Sequence, residues 1–242
     1  MKILSIDTST NLASLAITSE TGVLAETLVN TDRTLSIRLI PAVERLTASV
    51  DISISDIDLF AAGIGPGSFT GVRAGIATIQ GFSLATAKPC AGFSSLALLA
   101  MNLPLAAHPV CAMLDARKSE VYTAVYNCNT TKPQTVIEDC VMKPEAFLEK
   151  LSSEISGEVI FCGEGAVRYR DTIIEKLRHR AVFAPLACNI GRAANGAVLV
   201  MHDLLAGKSL PPEQLLPVYL RASEAEYAKL EKQAQLRSKQ SN

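Results

Sequence analysis

Apolar and polar residues alternate through the first thirty positions, which predicts three strands: Ile3–Ile6, Ala13–Thr18 and Val23–Val29. The period then lengthens. Leu35, Leu39, Val43, Leu46 and Val50 recur at helical spacing, and Pro41 either starts the regular part of that helix or kinks it. The apolar run Ile57–Ile64 predicts a buried strand. It enters a glycine-rich turn, Gly65-Pro66-Gly67-Ser68, and then a helix over Thr70–Ala85. A short strand at Cys90–Phe93 and a helix at Ser94–Met101 complete the first series.

A second series follows. Strands are predicted at Val110–Leu114, Val121–Tyr126 and Thr135–Val141, a helix at Pro144–Leu151 and a strand at Glu158–Cys162, then helices at Ala166–Arg178 and Ile190–Leu205. Three strands, a helix, a strand and a helix therefore appear twice, which predicts an α/β protein of two similar lobes, 1–107 and 108–222. The last helix of the second lobe is placed to pack on the first. From Ser223 onward the chain is rich in Glu, Lys, Gln and Ser and reads as a solvated tail, 223–242.

Composition narrows the function classes. The formal net charge of −1 gives no global basic field to attract nucleic acid. Ser95–Leu114 is apolar, but Asn102, Pro104, His108 and Pro109 make it helix, turn and strand rather than a membrane span. The first residues lack the apolar run and cleavage site of a signal peptide, which points to the cytoplasm. The six cysteines are scattered with no Cys-x-x-Cys pair and read as reduced thiols.

Few residues look catalytic. His108, His179 and His202 lack zinc-hydrolase spacing, so no metal site is expected. Asp7-Thr8-Ser9-Thr10 ends the first strand; it reads first as a turn whose side chains cap nearby backbone, and second as a phosphate or metal contact. The glycine-rich turn is neither a Walker A loop nor a dinucleotide fingerprint, and Pro66 removes a donor. It therefore serves either a tight reversal or an anion. In the helix after it, Gly71, Ala74, Gly75, Thr78, Gly81 and Ala85 put small side chains on one side. Such a face suits close packing by another helix, either of this chain or of a second subunit. Asp115-Ala116-Arg117 with Glu120-Val121-Tyr122 reads first as a salt-bridged hairpin turn and second as an acid/base pair. Arg168, Arg170, Lys176, Arg178 and Arg180 read as a solvated helix face, with RNA contact the alternative.

Four segments together resemble the bacterial TsaB (YeaZ) family: Ile3-Leu4-Ser5-Ile6-Asp7-Thr8-Ser9, Gly65-Pro66-Gly67-Ser68-Phe69-Thr70-Gly71-Val72-Arg73, the 115–122 turn, and Pro217-Val218-Tyr219-Leu220-Arg221. The resemblance implies the actin-like ATPase fold with two RNase H-like lobes. It implies a non-catalytic partner of the TsaD transferase in threonylcarbamoyl modification of the adenosine beside the anticodon, in tRNAs that read codons beginning with A. TsaE joins that pair, and tRNA is the substrate of the complex. TsaD holds a metal through His-x-x-x-His; the corresponding stretch here, Ser94–Leu99, has no histidine. The resemblance maps the partner interface onto the two first-lobe helices, through Leu35, Leu39, Val43, Leu46, Val72, Ala74, Gly75, Ile76, Thr78 and Ile79. A homodimer is expected when TsaD is absent. Asp7, Thr8, Ser9, Gly65, Gly67 and Ser68 would be vestigial phosphate loops, with no cofactor bound by this chain alone and ATP or ADP only in the complex. The rival expectation is an ATP-dependent phosphotransferase of the actin-like superfamily.

Overall fold

The computed structural model describes residues 1–30, 35–205 and 207–221; the tail expected at 223–242 lies outside them. Strands β1 (Ile3–Asp7), β2 (Leu12–Ser19) and β3 (Gly22–Asn30) form an antiparallel meander. After helix α1 (Leu35–Ala48), β4 (Leu59–Gly63) pairs parallel to β1. Helix α2 (Phe69–Thr86) leads to β5 (Cys90–Phe93), parallel to β4, and the sheet order is β3-β2-β1-β4-β5. Helix α3 (Ser95–Ala100) crosses to a second sheet. There β6 (Val110–Asp115), β7 (Val121–Asn127) and β8 (Gln134–Met142) form another meander. Helix α4 (Pro144–Glu154), β9 (Val159–Cys162), α5 (Glu164–Arg168), α6 (Arg170–Leu177) and β10 (Ala181–Phe183) follow. The second order, β10-β9-β6-β7-β8, repeats the first read from the other edge, as two RNase H-like lobes require.

β1 and β4 are buried along their whole length because helices cover both faces of their sheet, so they read as continuous apolar runs rather than alternating ones. Leu4, Ile6, Phe60 and Ala62 face α1 and α2, meeting Leu39, Val43, Leu46, Val72, Ile76 and Ile79. Ile3, Leu59, Ala61, Ala91 and Phe93 point the other way, where α3 supplies Leu98 and helix α7 (Ala193–Leu205) supplies Ala197 and Val200. The final helix thus packs on β1, β2, β4 and β5 of the first sheet. Its first turn is anchored there: Ala193 N–H donates to Ser14 Oγ at 2.7 Å and Ala194 N–H to Glu26 Oε1 at 3.3 Å. Arg192 Nε reaches Glu26 Oε2 at 3.0 Å. A carboxylate beside unpaired helix N–H groups is favourable for both charge and hydrogen bonding.

Helix α3 joins the lobes. Leu98 belongs to the first core, while Leu96, Leu99 and Ala100 pack on β6 and β7 through Val110, Ala112, Leu114 and Ala124. Its N-cap Ser94 accepts from Leu96 and Ala97 and donates to Asp139 Oδ2 at 2.7 Å; Tyr126 donates to the other oxygen of that carboxylate.

Four expectations need correction. The helix expected over 166–178 breaks at Tyr169 into α5 and α6, with Ala166, Ile173 and Leu177 continuing one buried stripe across the break. Strand β10, three residues long, has no predicted counterpart, and α7 begins at Ala193 rather than Ile190. Pro41 lies inside α1 instead of starting it. Among the described residues, no helix is long and apolar enough to cross a membrane.

Candidate functional site

The lobes meet at a cleft of about 590 Å³. Its first-lobe wall is the β1–β2 turn (Ser9, Thr10, Asn11) and the turn from Pro66 into the start of α2, with Arg73. Its second-lobe wall is Asp115, Ala116, Arg117, Tyr122 and Glu164, and residues 218–221 line it as well. Asp7, at the end of β1, is 3 % exposed. Ser9 Oγ donates to its Oδ2 and Ser95 Oγ to its Oδ1, each at 2.8 Å. Burial nevertheless raises its carboxyl above the ordinary range, and these hydrogen bonds only moderate the effect. Glu164 is also raised, by burial first and then by the negative charge of Asp115.

The structure brings the six predicted phosphate-loop residues together, but in contact with one another. Ser68 N–H donates to Ser9 O at 2.6 Å, and Thr8 Oγ1 donates to Gly71 O at 2.7 Å. A Cβ on Gly67 would strike Ser9 O, one on Gly71 would strike Thr8 O, and one on Gly75 would strike Thr8 Oγ1. Gly65 and Gly67 have φ of +104° and +158°, the first in the region that favours glycine. Ser68 also caps α2, its Oγ accepting from Gly71 N–H at 3.3 Å. The turn's glycines serve close approach of the β1–β2 turn to α2, and two of its polar groups are spent inside the chain.

This packing corrects the expected interface. Leu39, Val43, Leu46, Val72, Gly75, Ile76 and Ile79 are buried inside the first lobe, and the small face at Gly71 and Gly75 receives Thr8 of the same chain. Ala74 and Thr78 are half-buried, and the side chain of Leu35 lies outside the described residues. The solvent face of the two helices carries other residues: Ile37 at 72 %, Ile40 at 52 % and Leu84 at 70 % exposure, with Pro41, Ala77, Gly81 and Ala85 between polar neighbours. Helical period finds the stripe that faces the sheet first, because the core is the larger apolar demand. Ile37, Ile40 and Leu84 were legible only as apolar residues off that stripe.

The role of the C-terminal segment, residues 210–221, is visible only in three dimensions. Leu210 bridges Cys90 at the sheet edge, with N···O distances of 3.2 and 2.8 Å, and Gln80 Nε2 donates to the carbonyls of Pro212 and Leu215. Val218 N–H then donates to Ile64 O at 2.8 Å. Tyr219 stacks on Phe69 with centroids 4.9 Å apart, and Arg73 lies 3.8 Å over the Phe69 ring while its Nε donates to Tyr219 Oη at 2.5 Å. Arg221 crosses to the second lobe, with Nη1 on Glu120 Oε2 and Nη2 on Ala116 O, both at 2.7 Å. Glu120 therefore pairs with Arg221, not with the Arg117 beside it. Asp115 takes Arg168 at 2.8 Å and Arg117 at 3.6 Å. Arg117, Lys118 and Ser119 all have φ near +50 to +60°.

The family model described as TsaD, tRNA N6-adenosine threonylcarbamoyltransferase, matches residues 16–229. The tRNA threonylcarbamoyladenosine biosynthesis protein TsaB of Escherichia coli is 34 % identical over 228 residues, covering 91 % of this chain and 95 % of that protein. The protein of the same name from Bacillus subtilis is 29 % identical, covering 96 % and 100 %. The chain belongs to the TsaB family. The solved structure of YeaZ from Pseudomonas aeruginosa superposes with a TM-score of 0.77 at 29 % identity, over 90 % of this chain and 99 % of that one.

In this TsaB-family chain the four motifs of the resemblance share one location: each contributes to the lining of the interlobe cleft. The basic cluster is dispersed instead. Arg168 pairs with Asp115, Arg170 lies over the Phe183 ring, Lys176 pairs with Glu149, and Arg180 donates to the carbonyls of Gly157 and Ile155. Among the described residues no group of three His, Cys, Asp or Glu side chains is placed to hold a metal ion. Where the TsaD resemblance places a histidine pair, α3 offers Ser95, whose hydroxyl is bound to Asp7.

Proposed function

We propose that this chain is a non-catalytic partner of the TsaD transferase, required for threonylcarbamoyl modification of the adenosine beside the anticodon in tRNAs that read codons beginning with A. The observation that best supports a partner role over a phosphotransferase role is the contact between the β1–β2 turn and α2. In a phosphate-binding turn, backbone N–H groups must point at the ligand; here Ser68 N–H is spent on Ser9 O, and Pro66 has no N–H. The exposed apolar face of α1 and α2, centred on Ile37, Ile40 and Leu84, is the surface we assign to TsaD, and to a second copy when TsaD is absent. Aliphatic side chains left this far in water each gain roughly 1.5–3 kcal/mol on full burial, so a few suffice to anchor a partner.

Reconstitution tests the reading. TsaD, TsaE and tRNA are combined with and without this chain, and threonylcarbamoyladenosine is quantified. Product should require the chain; equal product without it defeats the proposal. Calorimetry of the isolated chain with Mg-ATP should show neither tight binding nor turnover, and either result would restore the phosphotransferase.

A further inference from the structure

Residues 217–221 make contacts out of proportion to their number. Tyr219 and Val218 engage the first lobe at the glycine-rich turn and the first turn of α2, and two residues later Arg221 engages the second lobe at the β6–β7 turn. The same segment, residues 218–221, lines the 590 Å³ cleft together with residues of both lobes. The first-lobe catch holds Phe69 and Arg73, which belong to the helix whose outer side carries Ala77, Gly81 and Leu84. The second-lobe catch holds Ala116 and Glu120, which flank three consecutive left-handed residues. Each such non-glycine residue persists only where its surroundings hold it, and Arg221 grips that turn on both sides.

We propose that residues 217–221 form a latch across the cleft, and that Tyr219 and Arg221 are positioning residues that transmit the angle between the lobes to the first turn of α2. The latch makes the attitude of the α2 outer face depend on lobe closure. Anything that opens the cleft, a partner or a ligand between the lobes, pulls on Arg221 and is felt at Phe69 and Arg73. The partner half of this inference rests on the TsaD reading above; the latch itself does not.

The test uses the full chain and the variants Arg221→Ala, Glu120→Gln and Tyr219→Phe. Hydrogen exchange is followed separately at Phe69–Arg73 and at residues 115–122. If the latch transmits, Arg221→Ala, which removes both hydrogen bonds of the second-lobe catch, speeds exchange at Phe69–Arg73 by about tenfold or more, and Glu120→Gln, which leaves a neutral acceptor, speeds it by less. Loosening confined to 115–122 overturns the latch. Tyr219→Phe keeps the ring stack and loses the Arg73 hydrogen bond, so it should fall between wild type and Arg221→Ala; an effect at least as large as that of Arg221→Ala would overturn the role given to the stack. Affinity for TsaD is the second readout. A parallel fall in Arg221→Ala supports the positioning role, and wild-type affinity in a variant with a loosened first turn overturns it. Failure of the wild-type chain to bind TsaD sinks the proposed function, while the exchange measurements still decide the latch.

Discussion

Gly67, Gly71 and Gly75 stand where the β1–β2 turn comes closest to α2, while Gly81, on the same helix, has nothing within 4 Å of an added Cβ. The two kinds of position should respond oppositely to alanine. Gly75→Ala drives a methyl group against Thr8 Oγ1 and should cost about 1–3 kcal/mol, partly restored by Thr8→Ala; Gly81→Ala should gain about 0.5–1 kcal/mol from helix propensity. Urea denaturation of the three variants checks this, and equal effects at Gly75 and Gly81 would contradict the assigned contact. At Ser119, φ of +58° favours glycine, so Ser119→Gly should raise the thermal midpoint, by about 1 kcal/mol of stability at most. Asp7 sets a pH dependence. Because burial raises its folded pKa, the stability due to its proton is complete below the unfolded value near 3.8 and is lost as pH climbs through the higher folded value. Asp7→Asn, whose amide can still bond Ser9 and Ser95, should therefore be more stable than wild type at pH 7 and gain little at pH 4. A gap that stays constant between these pH values would show that Asp7 does not titrate as its burial requires. None of these contacts was legible in the sequence, where Gly75 was assigned to a face for another helix and to the TsaD interface, not to Thr8.

Elements were far more legible than their neighbours. The strands expected at β1, β2, β3 and β4 are all present, but burial does not alternate along them: β1, β2 and β4 are buried almost throughout because helices cover both faces of the sheet. β10 escaped because Ala181–Phe183 is too short to display a period, and the break at Tyr169 escaped because the buried stripe continues through it. For α1 and α2 the period found the right helices and the inward face. Two substitutions separate the faces. Ile76→Ala, at 4 % exposure, should cost about 2–5 kcal/mol of folding stability. Leu84→Arg should leave the thermal midpoint nearly unchanged and weaken co-purification with TsaD at least tenfold. A stable Leu84→Arg protein that retains TsaD at wild-type yield would remove this face from the interface.

Across the whole molecule, two lobes could be read from the repeated element order, but the cleft could not. Its walls come from five segments separated by dozens of residues, and no local pattern says that residues 217–221 return to Ile64 and Gly65 and then reach Glu120. The crossing of α7 is similarly non-local: Ser14 and Glu26 meet Ala193 and Ala194. It makes the first lobe dependent on the last described helix. A fragment ending at residue 107 should expose Ile3, Leu59, Ala61, Ala91 and Phe93, bind a hydrophobic dye and lack a cooperative transition. A fragment with a sharp thermal transition and no dye binding would show that the sheet needs no α7.

That same helix bears on how the protein is made. A ribosome delivers β1 to β5 first, yet the strip of sheet that α7 covers stays bare until about one hundred further residues have been added. At roughly 5–20 residues per second this lasts on the order of 5–20 s. During that interval the nascent chain presents a sticky apolar surface, so its yield in a cell depends on chaperone attention and translation speed as well as on the stability of the finished fold.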